Sequence, residues 1–259
     1  MNRPFHWFRM INDKVFLGFP IDFENICKIY PPTVNEVVGN DDFVVYQALL
    51  TITQEELNKA YLTDEDVSMV PTPFQYLMMN YYQDEDIRDI ILQAFKQFIR
   101  EPVTIVPEIE MLYIGKSEEE LDPNIDLDEP RLLTADNYFN FQNCIRLVIG
   151  VDQIEPPKEE DLNEDPRIKR WKMKVKESEE IIKAKKSKNA PTLGTLLAAI
   201  CCMGIGLNPL NIGEISYPCV QWLIAMYQQN EEYDIDIRAL LAGADSKKVK
   251  PKYWIKNID

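Results

Sequence analysis

Asp84-Glu-Asp-Ile-Arg-Asp-Ile-Ile-Leu-Gln-Ala-Phe-Lys-Gln-Phe-Ile99 is the stretch whose reading decides the fold class. Its apolar residues Ile87, Ile90, Ile91, Ala94, Phe95, Phe98 and Ile99 fall at three- and four-residue intervals, which puts them on one side of a helix. Three acids open it, where the positive end of the helix dipole favours negative charge. Glu101-Pro102 closes it. A stripe this wide needs a core to face, so the flanking segments must supply one.

Downstream, Val103 to Val106 and Met111 to Ile114 predict a β-hairpin around Pro107-Glu108. Residues 117–130 form an acidic loop, and Thr134 caps a helix carrying Tyr138, Phe141, Ile145 and Val148, with Gly150 ending it. Upstream, Pro73 starts a helix running toward Tyr82. Thr53-Gln-Glu-Glu56 has the form of a capping box. Asp41 or Asp42 caps a helix whose Phe43, Val44, Tyr46, Gln47 and Leu50 spacing gives one apolar face, and Thr33 caps a short one through Val38 before Gly39. The alternation of Trp7, Arg9 and Ile11 against Phe8 and Met10, a turn at Asn12-Asp13, and Val15-Phe16-Leu17 predict an N-terminal hairpin ended by Gly18 and Pro20. Short hairpins among helices make residues 1–152 an α+β domain.

Glu155-Pro156-Pro157 through Asp165 changes the composition, so residues 153–165 read as an acidic linker. Beyond it, 166–259 reads as a C-terminal helical domain. Asp165-Pro166 starts a long basic helix reaching Lys188, with cations from Arg167 and Lys169 to Lys185 and Lys186. Its apolar positions Ile168, Trp171, Val175, Ile181 and Ile182 make a moderate stripe. Thr192 caps a helix through Cys202, Ser216 caps Tyr217 to Gln229, and Asp234 or Asp236 caps Ile237 to Ala242, with Gly243 as C-cap. The fold class is α+β and predominantly α-helical.

The 259 residues are 46% hydrophobic and 27% charged, the composition of a globular chain. A formal charge of −15 and a pI near 4.6 argue against a nucleic-acid partner, since phosphates are repelled by most of the surface. The basic segment 166–188 is the exception, and with few aromatics among its lysines it suits protein electrostatics better than single strands. Met1 to Trp7 has neither the basic start nor the apolar run of a secretory signal, and no stretch reaches the about 20 apolar residues that span a bilayer. Five cysteines without a Cys-x-x-Cys pair read as buried free thiols of an intracellular protein.

No catalytic, cofactor-binding or metal site emerges. His6 is the only histidine, which excludes histidine triads and His-based zinc sites by count. Asp122, Asn124, Asp126 and Asp128 alternate like calcium ligands, but Leu127 stands where the turn needs glycine and Leu133 where a bidentate glutamate belongs. Asp84, Glu85 and Asp86 are explained by the helix dipole. Gly204-Ile-Gly206 lacks the third glycine of a dinucleotide loop. Cys201-Cys202 lies in an apolar run with no neighbouring base. Interface anchors are sought first among Trp222, Tyr227, Arg238, Tyr253 and Trp254, although aromatics at helical spacing are more often core.

Several segments carry a resemblance: Lys28-Ile-Tyr-Pro-Pro-Thr-Val-Asn-Glu-Val-Val38, Tyr46-Gln-Ala-Leu-Leu-Thr51, Asn211-Ile-Gly-Glu-Ile215, the Trp222 to Gln228 helix, and Asp236 to Lys250 before Tyr253-Trp254-Ile255. In these the chain resembles tail assembly chaperones of phages and prophages of Gram-positive bacteria. The resemblance implies a non-enzymatic helper that coats the tape-measure protein and recruits tail-tube subunits in the host cytoplasm, with self-association compatible. Many such chaperones are smaller, which keeps a permanent virion component (connector, baseplate or tail protein) as the alternative. A third reading is a metal-dependent enzyme using Asp84, Asp86, Asp126 and Asp128.

Overall fold

The computed structural model describes residues 13–61, 70–83, 85–106, 111–117, 119, 131–151 and 192–252. The chain forms two compact units, Met1–Gln153 with Pro209–Asp259, and Ile154–Asn208. The sequence reading grouped 166–259 as one domain. Instead, the part from Pro209 joins the N-terminal unit, because backbone hydrogen bonds and ring contacts tie its helix start there. The linker 153–165 and the basic segment 166–188 lie outside the described residues.

The first unit contains a two-stranded hairpin, β1 (Ile21–Phe23) and β2 (Cys27–Ile29), then α1 (Val34–Val38), α2 (Phe43–Thr51), α3 (Gln54–Tyr61), α4 (Pro73–Gln83) and α5 (Glu85–Ile99). An antiparallel sheet of β3 (Val103–Val106), β4 (Met111–Ile114) and β5 (Leu132–Leu133) follows, then α6 (Ala135–Val148). Within the second unit, α7 spans Leu193–Cys202; the first unit resumes with a 3-10 turn at Ile212–Glu214 and α8, Tyr217–Leu241. The fold is α+β and predominantly helical, as the periodicity indicates.

The stripe of α5 is the centre of the core. Ile91, Ala94, Phe95, Phe98 and Ile99 are buried, packed with Leu50 of α2, Leu77 of α4 and Phe141 of α6 in one hydrophobic cluster. The α5 chain reverses at Arg100, which takes the left-handed conformation at φ 60°. The β3–β4 register pairs Val103 with Ile114 and Val106 with Met111, the hairpin read from the sequence.

Three differences from the sequence reading have physical reasons. Residues 13–16 are helical rather than the second strand of a hairpin. The Leu17 amide donates to the Asp13 carbonyl at 3.1 Å and Phe19 to Lys14 at 2.8 Å, and this turn drives Val15 into the core. Residues 1–12, including the first expected strand and His6, lie outside the described residues. The actual hairpin is β1–β2. Its turn places Glu24 and Asn25 at φ 47° and 63°, and the Ile26 amide closes on the Phe23 carbonyl at 2.7 Å. Without glycine, that left-handed pair gave no turn signal.

The third difference is α8, one 25-residue helix where two were expected. Neither Asp234 nor Asp236 starts a new helix, since no glycine or proline between Gln229 and Ile237 stops the first one. It ends in a Schellman motif: Gly243 at φ 93°, its amide on the Leu240 carbonyl at 3.0 Å, and the Ala244 amide on Ala239 at 3.0 Å.

Candidate interaction surface

Ser216 builds the root of α8. Its hydroxyl accepts from the Cys219 amide at 3.3 Å as an N-cap and lies 3.0 Å from the Phe16 carbonyl and 3.2 Å from that of Val15. One hydroxyl therefore caps the helix and holds the 13–16 turn against it. On the other side, the Val34 amide donates to Ile215 at 3.0 Å and Tyr217 to Pro32 at 2.8 Å, a short antiparallel bridge between Thr33 and Ser216. Trp222 stacks on Phe16 at 5.4 Å, and Tyr217 meets Phe43 edge-on at 6.4 Å. Gln221 lies so close to Gly150 that a Cβ there would overlap its amide.

Past Val220 the character of α8 changes. Within the helix only Pro218 and Val220 are buried; every later residue is half-buried or exposed. Ile235 is 61% exposed and Leu241 83%. Glu231, Glu232 and Arg238 are exposed as well. Among the described residues, no hydrogen bond or ion pair engages the side chains of Glu231, Glu232, Asp234, Asp236 or Arg238.

A cleft of about 380 Å³ opens beside the root, lined by Phe16, Tyr30, Thr33, Arg100, Glu214 and Cys219 among others. Its cation is engaged within the fold. Arg100 Nη2 contacts Glu36 Oε1 at 2.7 Å, and the guanidinium carbon sits 4.7 Å from the centre of the Tyr30 ring. Glu36 Oε2 in turn accepts from the Thr33 amide at 2.7 Å, closing the capping box of α1. This clasp joins the ends of α1 and α5.

Cys27 and Cys219 are poor nucleophiles here. Burial, with the nearby Glu101 carboxylate adding to it, pushes Cys27 up to about 12, and burial raises Cys219 too. Cys201 is half-exposed and Cys202 exposed on α7. Gly204 and Gly206 follow that helix at φ 72° and 86°. Leu133, which failed as a calcium ligand, is a buried strand residue paired with Leu112. Glu85 and Asp86 occupy the first turn of α5, while Asp84 and 122–128 lie outside the described residues. Among the described residues no group of three or more His, Cys, Asp and Glu side chains is placed to hold a metal ion, and no helix is long and apolar enough to cross a membrane.

Of the anchors sought in the sequence, Trp222 is half-buried at the root, Tyr227 is 40% exposed and Arg238 exposed on the open part of α8. Tyr253 and Trp254 lie outside the described residues. Ser216 and Arg100 were missed in their tertiary roles. A serine before Tyr217-Pro218 signals a cap and nothing of the distant carbonyls it reaches, and no pattern marks an arginine for left-handed backbone.

Residues 183–259 match a family model described as the YomV second domain, which makes this end of the chain similar to a phage-type protein. The matched stretch contains α7 and the whole of α8. No curated protein matches the chain, and no solved structure does.

Proposed function

We propose that the chain is a non-enzymatic phage morphogenesis protein, a tail assembly chaperone that holds the tape-measure protein and brings tail-tube subunits to it. The observation carrying this reading is α8, fixed at its first turns by Ser216 and Trp222 and without a buried residue beyond Val220. A long helix anchored at one end and half-open along its length offers a continuous face to a partner helix, a common mode of protein recognition. The phage-type match over residues 183–259 covers that same helix.

The test is mass spectrometry of proteins co-purifying with a tagged copy from producing cells, set beside the contents of purified mature particles. The chaperone reading expects tape-measure or tube protein bound in cells and this chain absent from particles. Fixed stoichiometry in mature particles overturns it in favour of a structural component.

A further inference from the structure

We propose that the open part of α8 takes a basic amphipathic helix of a partner protein, seated on Ile235 between Glu231, Glu232 and Arg238. This rests on the assembly reading above and names the chemistry of the partner. Successive exposed positions 228, 231, 235, 238 and 242 recur at three- and four-residue steps, the spacing of a single helix face. Ile235 is its central apolar residue, and Leu241 adds exposed apolar surface at the edge of that face.

The charge selects the occupant. Residues 227–242 carry four acids, Glu231, Glu232, Asp234 and Asp236, against the single cation Arg238, a local charge of −3 (−4 + 1). None of these five side chains is paired among the described residues, and Glu231, Glu232 and Arg238 are exposed. A second copy would bring together two chains that each carry −15 overall, a repulsive approach. A helix with lysine or arginine flanking an apolar stripe satisfies both features at once: its stripe covers Ile235 and its cations meet the acids.

The test titrates the full-length chain with a synthetic amphipathic helix of leucine and lysine, about five turns long, following anisotropy of a label on the peptide. The same helix with glutamate for lysine is the control. The lysine helix binds and the glutamate helix does not, and binding weakens as salt rises. Ile235→Asp and the pair Glu231→Lys/Glu232→Lys each lower affinity roughly tenfold or more, while Asp41→Lys/Asp136→Lys, exposed acids elsewhere, leave it within about twofold. Circular dichroism shows the variants folded. Equal binding by Ile235→Asp reduces the effect to general attraction for an acidic protein and overturns the proposal. Dimerisation through Ile235, seen by sedimentation without peptide binding, assigns the face to a second copy and overturns it too. If the lysine helix binds as described but no tail protein co-purifies, this surface stands and the chaperone reading falls. If tail protein co-purifies equally with Ile235→Asp, the surface is overturned and the chaperone reading stands.

Discussion

The Ser216 hydroxyl lies 3.0 Å from the Phe16 carbonyl, and so the cap of the last long helix is also a tie to the start of the chain. Two segments 200 residues apart meet at one oxygen. Replacing Ser216 by alanine removes the cap of α8 and the donor for Phe16 and Val15. Loss of the cap alone costs about 0.5–2 kcal/mol, and the buried carbonyl contacts add to it. Urea unfolding of Ser216→Ala therefore shows a lowered midpoint with an unchanged slope; an unchanged midpoint contradicts the tie.

Gln142 is a buried polar side chain with a clear task. Its Nε2 donates to the Ile52 carbonyl at 3.0 Å and to Leu50 at 3.3 Å, and Arg146 Nη1 donates to Thr51 at 3.1 Å. Together they satisfy the carbonyls left open where α2 ends. Gln142→Leu keeps much of the volume but strands those oxygens, at about 1–3 kcal/mol. Thermal unfolding measures the loss, and a variant as stable as the parent contradicts this account.

Tyr138 is the opposite case. Its ring packs against Phe74 and Phe141, and its hydroxyl, fully buried, has no hydrogen-bond partner among the described residues. The same burial holds its phenol well above the ordinary range. Tyr138→Phe removes a desolvated donor and keeps the ring. Stability rises by up to about 1 kcal/mol, a Tm gain of a few degrees. A fall of that size would reveal a partner for the hydroxyl.

Much of this fold was legible because local and tertiary preferences agree. The α5 stripe, the Thr53–Glu56 capping box (2.7 Å from the Thr53 amide to Glu56 Oε2), the β3–β4 hairpin and the Tyr138, Phe141, Ile145 and Val148 face of α6 follow from spacing alone. What failed depended on partners distant in sequence. Val15 alternates as a strand would, yet the 13–16 turn is helical because Ser216 collects its carbonyls. Val44 sits on the face expected to be apolar but is 72% exposed, since Phe43, Tyr46 and Leu50 already fill that side. The candidate surface was half-visible: Tyr227 and Arg238 were named, but the unbroken helix that exposes Glu231 and Ile235 was split in two.

Thiol chemistry separates buried from exposed cysteines. Burial pushes Cys27 up to about 12 from the ordinary thiol value of 9.0, so stability from the buried neutral thiol is complete below pH 9. It is lost as pH rises toward 12, because the unfolded thiol ionises first. The thiolate is the reactive form. With iodoacetamide at about pH 8, native Cys27 is alkylated far more slowly than exposed Cys202, and the difference vanishes in urea. Peptide mass spectrometry reads the order, and equal native rates contradict the burial of Cys27.

Hydrogen–deuterium exchange of the full chain, alone and with the partner that co-purifies from producing cells, tests the central claim most directly. Alone, amides from Trp222 to Leu241 exchange faster than those of Ile91 to Ile99 in the core helix, since exposed segments open locally at lower cost. With the partner bound, protection rises over Gln228 to Ala242 while the core is unchanged. Protection that appears elsewhere and leaves α8 untouched would contradict α8 as the docking helix.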